Sequence, residues 1–408
     1  MSLPSHAIRL RALAYTSLAH ATNDGMAIFL SIIGALLASQ KGAPPVVVTG
    51  VAVAANGASL LLSPFVGRWA DRSGRPGALI ALGIAFVSTS FLGFYAGLTF
   101  ATGAALVAVI GGSAFLMGFG TSFYHPLGGS ILQSSFDERS RGWALGFNGA
   151  WGSAGRALFP AIFSLAAVVL VGYDPLLLIA VIGFAAAVTI WVGLRERAAV
   201  SREEAPQRGR GRDVATKGVL ALTVVVLIRS LATQGIAYYI PTFLALDKGL
   251  GSGAALFIAV TTVYAPAIVG QPSFGLLVDR YDKRLVLALS TFGAAAAIVG
   301  GVYAQGTLSI ALLALFGFFT FSGFPLFFSL VADYVPRNSS ALGNGLVWGL
   351  GASGGSVFGP LVVGAIILTN YTRLGLAFDV LAGVALVSAV GVFLIPKPER
   401  SGKVPLFG

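Results

Sequence analysis

Gly67-Arg68-Trp69-Ala70-Asp71-Arg72-Ser73-Gly74-Arg75 interrupts a long apolar chain, and it is echoed by Gly275-Leu276-Leu277-Val278-Asp279-Arg280-Tyr281-Asp282-Lys283-Arg284. Both stretches read G-x-x-x-D-R followed by further basic residues. What surrounds them decides the fold class. From Pro76 to Phe136 there are 61 residues without a single Asp, Glu, Lys or Arg, and Leu285 to Ala332 is equally free of charge. At about 20 residues per crossing, each run holds two membrane spans. A soluble domain carries about a quarter charged residues. Here only 10% are charged and 56% are hydrophobic, with a mean hydropathy of +0.87. The solvent for most of this chain is therefore lipid.

Working outward from the two polar stretches, spans are expected near 12–38, 46–67, 77–98, 103–132, 142–171, 175–194, 218–246, 252–278, 285–304, 307–332, 339–369 and 374–395. The polar stretch 195–217 divides six spans from six, which gives a bundle over 1–194, a linker, and a bundle with a short tail over 218–408. If the N-terminus lies inside, 21 of the 26 Lys and Arg fall on the inner side and three (Lys41, Lys248 and Arg373) outside, while Arg156 and Arg229 lie within spans. Cytoplasmic loops carry such an excess, so both termini are expected in the cytoplasm of a cell-membrane protein. The net charge of +11 is thus read as topology and contact with anionic lipid, not as nucleic-acid binding. The first apolar segment is long and ends in no leader-type cleavage site, so it is expected to be retained. With no Cys and three His, no disulfide, thiol chemistry, dedicated metal cage or other cofactor is expected.

The halves repeat beyond the polar stretches. Gly149, Ser153, Gly155 and Pro160 match Gly349, Ser353, Gly355 and Pro360 at one constant offset, and Pro126 is echoed by Pro325. Parallel six-helix repeats around a midplane site are a known transporter plan.

The paired G-x-x-x-D-R-x-G-R type stretches resemble the signature loop of the major facilitator superfamily, the second copy carrying Asp282 where Gly is expected. That resemblance implies an all-α fold of twelve transmembrane helices in two six-helix bundles, with Gly67, Asp71, Arg72, Arg75, Gly275, Asp279 and Arg280 in conformational gating. By the repeat, Asp71 should meet the start of the eleventh span and Asp279 the start of the fifth, locking the cytoplasmic side closed. His20-x-x-Asn23-Asp24 and Phe123-Tyr124-His125-Pro126 further resemble the branch that contains the fosmidomycin resistance protein, which implies proton-driven drug efflux. The fifth span, with Gly146, Gly155 and Pro160, resembles the antiporter motif of drug exporters, with Phe159 in place of a Gly. Small residues that let helices approach closely are the plainer reading of these glycines.

Ionisable groups inside a bilayer are costly and each needs a reason. Asp24, about 18 Å along the first span from Ala12, is near the midplane. His20, Asn23 and Asp24 share one helical face. A carboxylate beside an imidazole can take and release a proton, so Asp24 and His20 are candidates for proton coupling. A structural ion pair is the plainer alternative. His125, beside the helix-breaking Pro126, is a candidate relay or gate, or a side chain that bonds a freed carbonyl. Arg156 and Arg229 lie about 21 and 17 Å from the inner ends of their spans. Two permanent cations against one deep acid leave a positive surplus, which points to an anionic solute group. The alternative for Arg229 is that backbone carbonyls satisfy it. Asn148, Gly152 and Arg156 share a face. Asn23, Asn148, Gln234, Tyr238, Tyr264 and Trp348 complete the candidate substrate-binding residues, with Gln271 and Asn344 as further cavity candidates.

The chain shows no H-E-x-x-H, no Ser/His/Asp set and no paired catalytic acids, so an enzyme is not expected. The function expected is proton-coupled transport of a small anionic or amphipathic solute by alternating access, in a monomer, with efflux by antiport favoured. Import of an organic anion such as a monocarboxylate with protons is the second reading, and a membrane receptor a remote third.

Overall fold

The computed structural model describes residues 6–136, 138–195, 216–335 and 340–397. Among these there are helices and turns and no strand. In the first half the helices are α1 (His6–Ala27), α2 (Phe29–Gln40), α3 (Pro45–Ser73), α4 (Pro76–Phe100), α5 (Gly103–Thr121), α6 (Tyr124–Ser135), α7 (Glu138–Ala166) and α8 (Pro175–Leu194). The second half contains α9 (Lys217–Leu246), α10 (Ala254–Tyr264), α11 (Ala267–Arg280), α12 (Lys283–Tyr303), α13 (Gly306–Phe321) and α14 (Phe324–Tyr334). It closes with α15 (Ser340–Leu346), a π-helical stretch over Val347–Ser353, α16 (Gly354–Ile367) and α17 (Leu374–Gly391).

Among the described residues, ten helical segments are long and apolar enough to cross a membrane. The stretches expected as the fifth and tenth spans, α7 and the α13–α14 pair, are helical too. Prolines explain two of the interruptions. A proline offers no N–H to the carbonyl four residues back and its ring crowds that carbonyl. Pro126 therefore breaks the fourth span near Ser122, between α5 and α6, and Pro325 breaks the tenth near Phe321.

Two expected boundaries are corrected. The G-x-x-x-D-R stretch is not a loop, because α3 continues to Ser73. The chain turns only at Gly74, whose φ of 63° is left-handed and whose N–H caps Ala70 O. In the second copy Asp282 replaces that glycine and does a different task. Tyr281 is extended, and the Asp282 carboxylate accepts the Arg284 N–H at 2.9 Å to start α12. The fifth span was expected to reach 171 but its helix ends at Ala166. The apolar residues after it are spent in turns that lead to the left-handed Gly172.

The core is divided unequally between the two membrane faces. On the face opposite the basic loops, both bundles share one apolar core. Phe29, Ile33, Val51 and Phe163 of the first half pack there with Ile236, Phe243, Phe257 and Phe378 of the second. On the basic-loop face each bundle keeps its own core. Ile80, Ile84, Leu127 and Ile190 form one, and Val219, Leu222, Leu330 and Val392 the other.

Polar bonds stitch the shared side. Tyr238 Oη donates to Val48 O at 2.6 Å, the hydroxyls of Tyr239 and Thr49 lie 2.6 Å apart, and Tyr371 Oη donates to Ala43 O at 2.8 Å. At its rim, Gln40 Nε2 donates to Ser252 Oγ at 2.7 Å.

Candidate functional site

The site is built where α1 crosses α7, and glycines set how close that crossing is. A methyl group on Gly155 would run into the Ala21 carbonyl, and one on Gly25 would meet the Phe159 ring and Gly155 O. Close packing is thus what Gly155 of α7 and Gly25 of α1 do here, whereas Gly146 adjoins open space. The eleventh span repeats the device, with Gly355 against Ser230 and Gly359 against Leu231 of α9. Gly152 performs a more specific task. The His20 imidazole lies directly on its Cα, in the volume a side chain would fill.

Four ionisable side chains converge in this crossing. Arg156 Nη1 donates to Asp24 Oδ2. His20 Nε2 lies 3.3 Å from the same oxygen, and His125 Nε2 lies 3.5 Å from Oδ1. Asn23 Nδ2 donates to Oδ1 at 3.0 Å. Asp24 and His20 are each 5% exposed. A charge so buried is costly unless it is paired and hydrogen-bonded, and Asp24 is both. The expected helical face of His20, Asn23 and Asp24 is therefore present, and the fifth span supplies the cation.

Hydrogen-bond logic fixes a proton in this cluster. His20 Nδ1 lies 2.8 Å from Asn148 O and 2.9 Å from Asn148 Oδ1. A main-chain carbonyl only accepts, so Nδ1 carries the hydrogen. Nε2, 3.3 Å from Asp24 Oδ2, is then the ring nitrogen that faces the carboxylate. Tyr124 fixes the other side of Asn148, donating to its Oδ1 at 2.9 Å while its ring lies 4.7 Å from that of His20. Asn148 Nδ2 reaches Thr16 Oγ1 at 3.4 Å.

The donor atoms of His20, Asp24 and His125 lie within 4.8 Å of one another. Three protein ligands are as many as an open metal site has, but the guanidinium on Asp24 Oδ2 would repel a divalent ion there.

Arg156 reaches toward the second bundle. Its guanidinium lies 5.1 Å from the centre of the Phe321 ring, which packs 5.0 Å from Tyr264. Nη2 donates to Ser153 Oγ at 3.2 Å, and Gln271 Nε2 reaches that hydroxyl at 3.4 Å. Along this chain of contacts, three buried polar atoms have no hydrogen-bond partner among the described residues: Asn23 Oδ1, Arg156 Nε and Gln271 Oε1.

The other expected residues fall elsewhere. Arg229 is buried in the second bundle and does not touch Asp24. Its Nε donates to Thr291 Oγ1 at 3.0 Å and its Nη2 to Phe319 O and Thr320 O at 3.1 and 3.2 Å. These two carbonyls end α13 at the break before Pro325, so Arg229 is bound by the backbone alternative. Tyr238 belongs to the shared seam. Tyr264 Oη donates to Ala237 O at 3.2 Å, Gln234 is half-buried, and Trp348 places its ring 5.8 Å from His125, across the two bundles. Asn344 leaves Oδ1 buried without a partner. His125 faces Asp24, not a freed carbonyl. Gly67 and Gly275 adjoin open space, and Arg72, Arg75 and Arg280 are exposed. The side chains of Asp71 and Asp279 lie outside the described residues, as does most of the linker 195–217. Tyr124, Ser153 and Thr16 were not singled out as site residues. The i, i+4 face that Thr16 shares with His20, and the position of Tyr124 next to His125, are signals that could have found two of them.

The comparisons with known proteins agree with this architecture. The chain is 24% identical over 392 residues to the fosmidomycin resistance protein of Escherichia coli strain K12, covering 93% of this chain and 91% of that protein. It is 25% identical over 363 residues to the uncharacterized MFS-type transporter YfnC of Bacillus subtilis strain 168, covering 86% and 84%. A bacterial homologue of the human lysosomal transporter Spinster, solved in an inward-facing and occupied conformation, superposes with a TM-score of 0.71 at 15% identity, covering 97% of this chain and 98% of that one. The last likeness is one of fold. The family model of the Major Facilitator Superfamily matches residues 16–354 and 258–408, and with twin polar stretches, paired bundles and a core shared on one face, the chain belongs to that superfamily.

Proposed function

We propose that this protein is a secondary active transporter of the cell membrane that moves a small anionic or amphipathic solute by alternating access, coupled to protons at Asp24. The observation that carries the reading is the Asp24 carboxylate, buried midway along its span and ringed by His20, His125 and Arg156. Intramembrane ionisable clusters of this kind mark ion and proton pathways. The basic loops orient their face to the cytoplasm. With the opposite face sealed by a shared core and the cytoplasmic cores separate, the conformation described is read as inward-facing. His125, which is partly exposed and 3.5 Å from Asp24, is the route for protons between the site and the cytoplasm.

Similarity to the fosmidomycin resistance protein supports efflux in exchange for protons. The ion pair of Asp24 with Arg156 favours the second reading, in which an organic anion moves with the proton.

Flux in proteoliposomes with an imposed pH gradient tests the proposal. Asp24→Asn should abolish gradient-driven accumulation while solute exchange stays measurable. Full retention of accumulation removes Asp24 from coupling.

A further inference from the structure

We infer that the site takes up its solute and its proton together: a small monoanion takes the Arg156 guanidinium from Asp24, and the released carboxylate takes the proton held between it and His20. This rests on the reading of Asp24 and His20 as the proton site.

The unpartnered atoms describe the ligand. Arg156 keeps a buried N–H, at Nε, without an acceptor. Asn23 is oriented by its bond to Asp24 Oδ1, which leaves its own Oδ1 as a buried acceptor without a donor. Gln271 Oε1, from the second bundle, also lacks a donor. A bare hydrocarbon would leave all three unsatisfied. A cation would meet the guanidinium. The complementary solute has an anionic oxygen for Arg156 and, beside it, a hydroxyl or N–H for Asn23 and Gln271. Such a solute bridges the bundles, because Asn23 and Arg156 belong to one and Gln271 to the other.

Arg156 cannot serve the anion and Asp24 equally. The charged and titratable groups around Asp24 are His20 on its own helix, Tyr124 and His125 on α6, and Arg156 on α7. Tyr264 of α10 and Phe321 of α13 close the side beyond Arg156. When the anion draws the guanidinium away, Asp24 loses its direct ion pair, and a carboxylate without its cation holds a proton more tightly. The Nε2–H bond breaks, Oδ2–H forms, and the electron pair stays on Nε2. The imidazolium thereby becomes a neutral imidazole, still donating Nδ1–H to Asn148. Where the site starts without that proton, the arriving anion draws one in from the cytoplasm. Binding linkage is reciprocal, so the proton strengthens anion binding by the same factor. One positive and one negative charge then cross together, which makes the step electroneutral and gives it the sign of cotransport. Exchange against protons would need a solute that competes with the proton for Asp24.

Lactate and propionate, and hydroxymethylphosphonate and methylphosphonate, are two probe pairs that differ by one hydroxyl. Their binding to the purified protein is measured by calorimetry between pH 5 and 8, with proton uptake followed in weak buffer and read from the carboxylates, because the phosphonates change their own charge in this range. The hydroxylated members should bind more tightly than their partners, with little proton uptake at the acid end, where the site already holds its proton, and uptake approaching one per site at the alkaline end. Their Kd should rise toward a limit of about tenfold per pH unit at the alkaline end. Asp24→Asn should keep anion binding and flatten its pH dependence, and Arg156→Gln should weaken it at least tenfold. Proton release on binding, a flat wild-type pH profile, or failure of all four anions to bind either wild type or Asp24→Asn overturns the inference. If Asp24→Asn does not fold, the wild-type profile decides alone. Gradient-driven flux without proton uptake on binding sinks this inference and leaves the proton reading standing. Flux that survives Asp24→Asn sinks both.

Discussion

Tyr238 of the seventh span donates its phenol hydrogen to the main-chain carbonyl of Val48 in the second span, 2.6 Å away and in the other bundle. The bond lies in the shared apolar seam, where the neighbouring Tyr239 and Thr49 hydroxyls also meet. Removing it deletes a bond between the bundles while Val48 O keeps its helical donor within α3, at a cost of about 0.5–1.5 kcal/mol to the sealed state. Tyr238→Phe should shift the population toward the outward-open form by about two- to tenfold. A single cysteine at Gln234, in a chain that has none of its own, reports the shift through an impermeant thiol reagent added outside. An unchanged labelling rate would mean that the phenol contributes nothing to the seal.

Gly152 carries the face of His20, with the imidazole in the volume of a missing side chain. Gly152→Ala should push the ring off its bonds to Asn148 and Asp24, because overpacking a tight site costs about 1–3 kcal/mol. Proton-driven flux should fall more than tenfold while the protein still reaches the membrane. Gly146→Ala, where a methyl group meets open space, is the control and should retain flux.

Arg229 binds two carbonyls left at the end of α13 and the Thr291 hydroxyl. Arg229→Met should strand those acceptors and destabilise the protein by about 1–3 kcal/mol, seen as a lower unfolding temperature in detergent. Anion binding by the surviving protein should stay within about threefold of wild type. Lost binding at unchanged stability would reassign Arg229 to the solute.

Asp282 gives a pH dependence away from the membrane interior. The Arg284 side chain donates to its carboxylate, and together with the Arg284 main-chain N–H it holds that group below its ordinary value against a smaller effect of burial. A carboxyl depressed in the folded state stabilises fully above its unfolded value, near 3.9, and loses that contribution as pH falls through the folded value. Asp282→Ala should therefore cost about 1 kcal/mol at pH 7, as for other helix N-caps, and the gap to wild type should narrow below about pH 4. Asp282→Asn, which can still cap, should behave nearly as wild type at pH 7. A gap that widens in acid would contradict the cap.

The spans were legible because lipid tolerates so little charge, and runs such as 285–332 say so without any alignment. The boundaries were less legible. Gly67 to Ser73 reads as a polar loop, yet one left-handed glycine at 74 suffices to turn the chain, so the helix runs on. The site was half legible. His20, Asn23 and Asp24 share a face by simple periodicity, as do Asn148, Gly152 and Arg156. That the two faces meet depends on the mutual register of two helices more than a hundred residues apart, which no local pattern encodes. The destination of Arg229 was hidden for another reason. Its acceptors are backbone carbonyls, which every residue has, and only the broken tenth span makes two of them available.

The unequal division of the core has a consequence for the transport cycle as a whole. To face outward, the molecule must split the common core of Phe29, Phe163, Phe243 and Phe257 and wet it, at about 2.5 kcal/mol per 100 Å² of apolar surface. On the alternating-access reading, that penalty is recovered only if the two separate cores behind Val219 and Ile80 fuse on the basic-loop side. The molecule is therefore a seesaw with an oily contact at each end, one made and one broken at any moment. Small changes in either contact area tilt its resting position, so conservative substitutions far from Asp24, such as Phe257→Leu or Leu330→Ala, are placed to alter turnover without touching solute or proton.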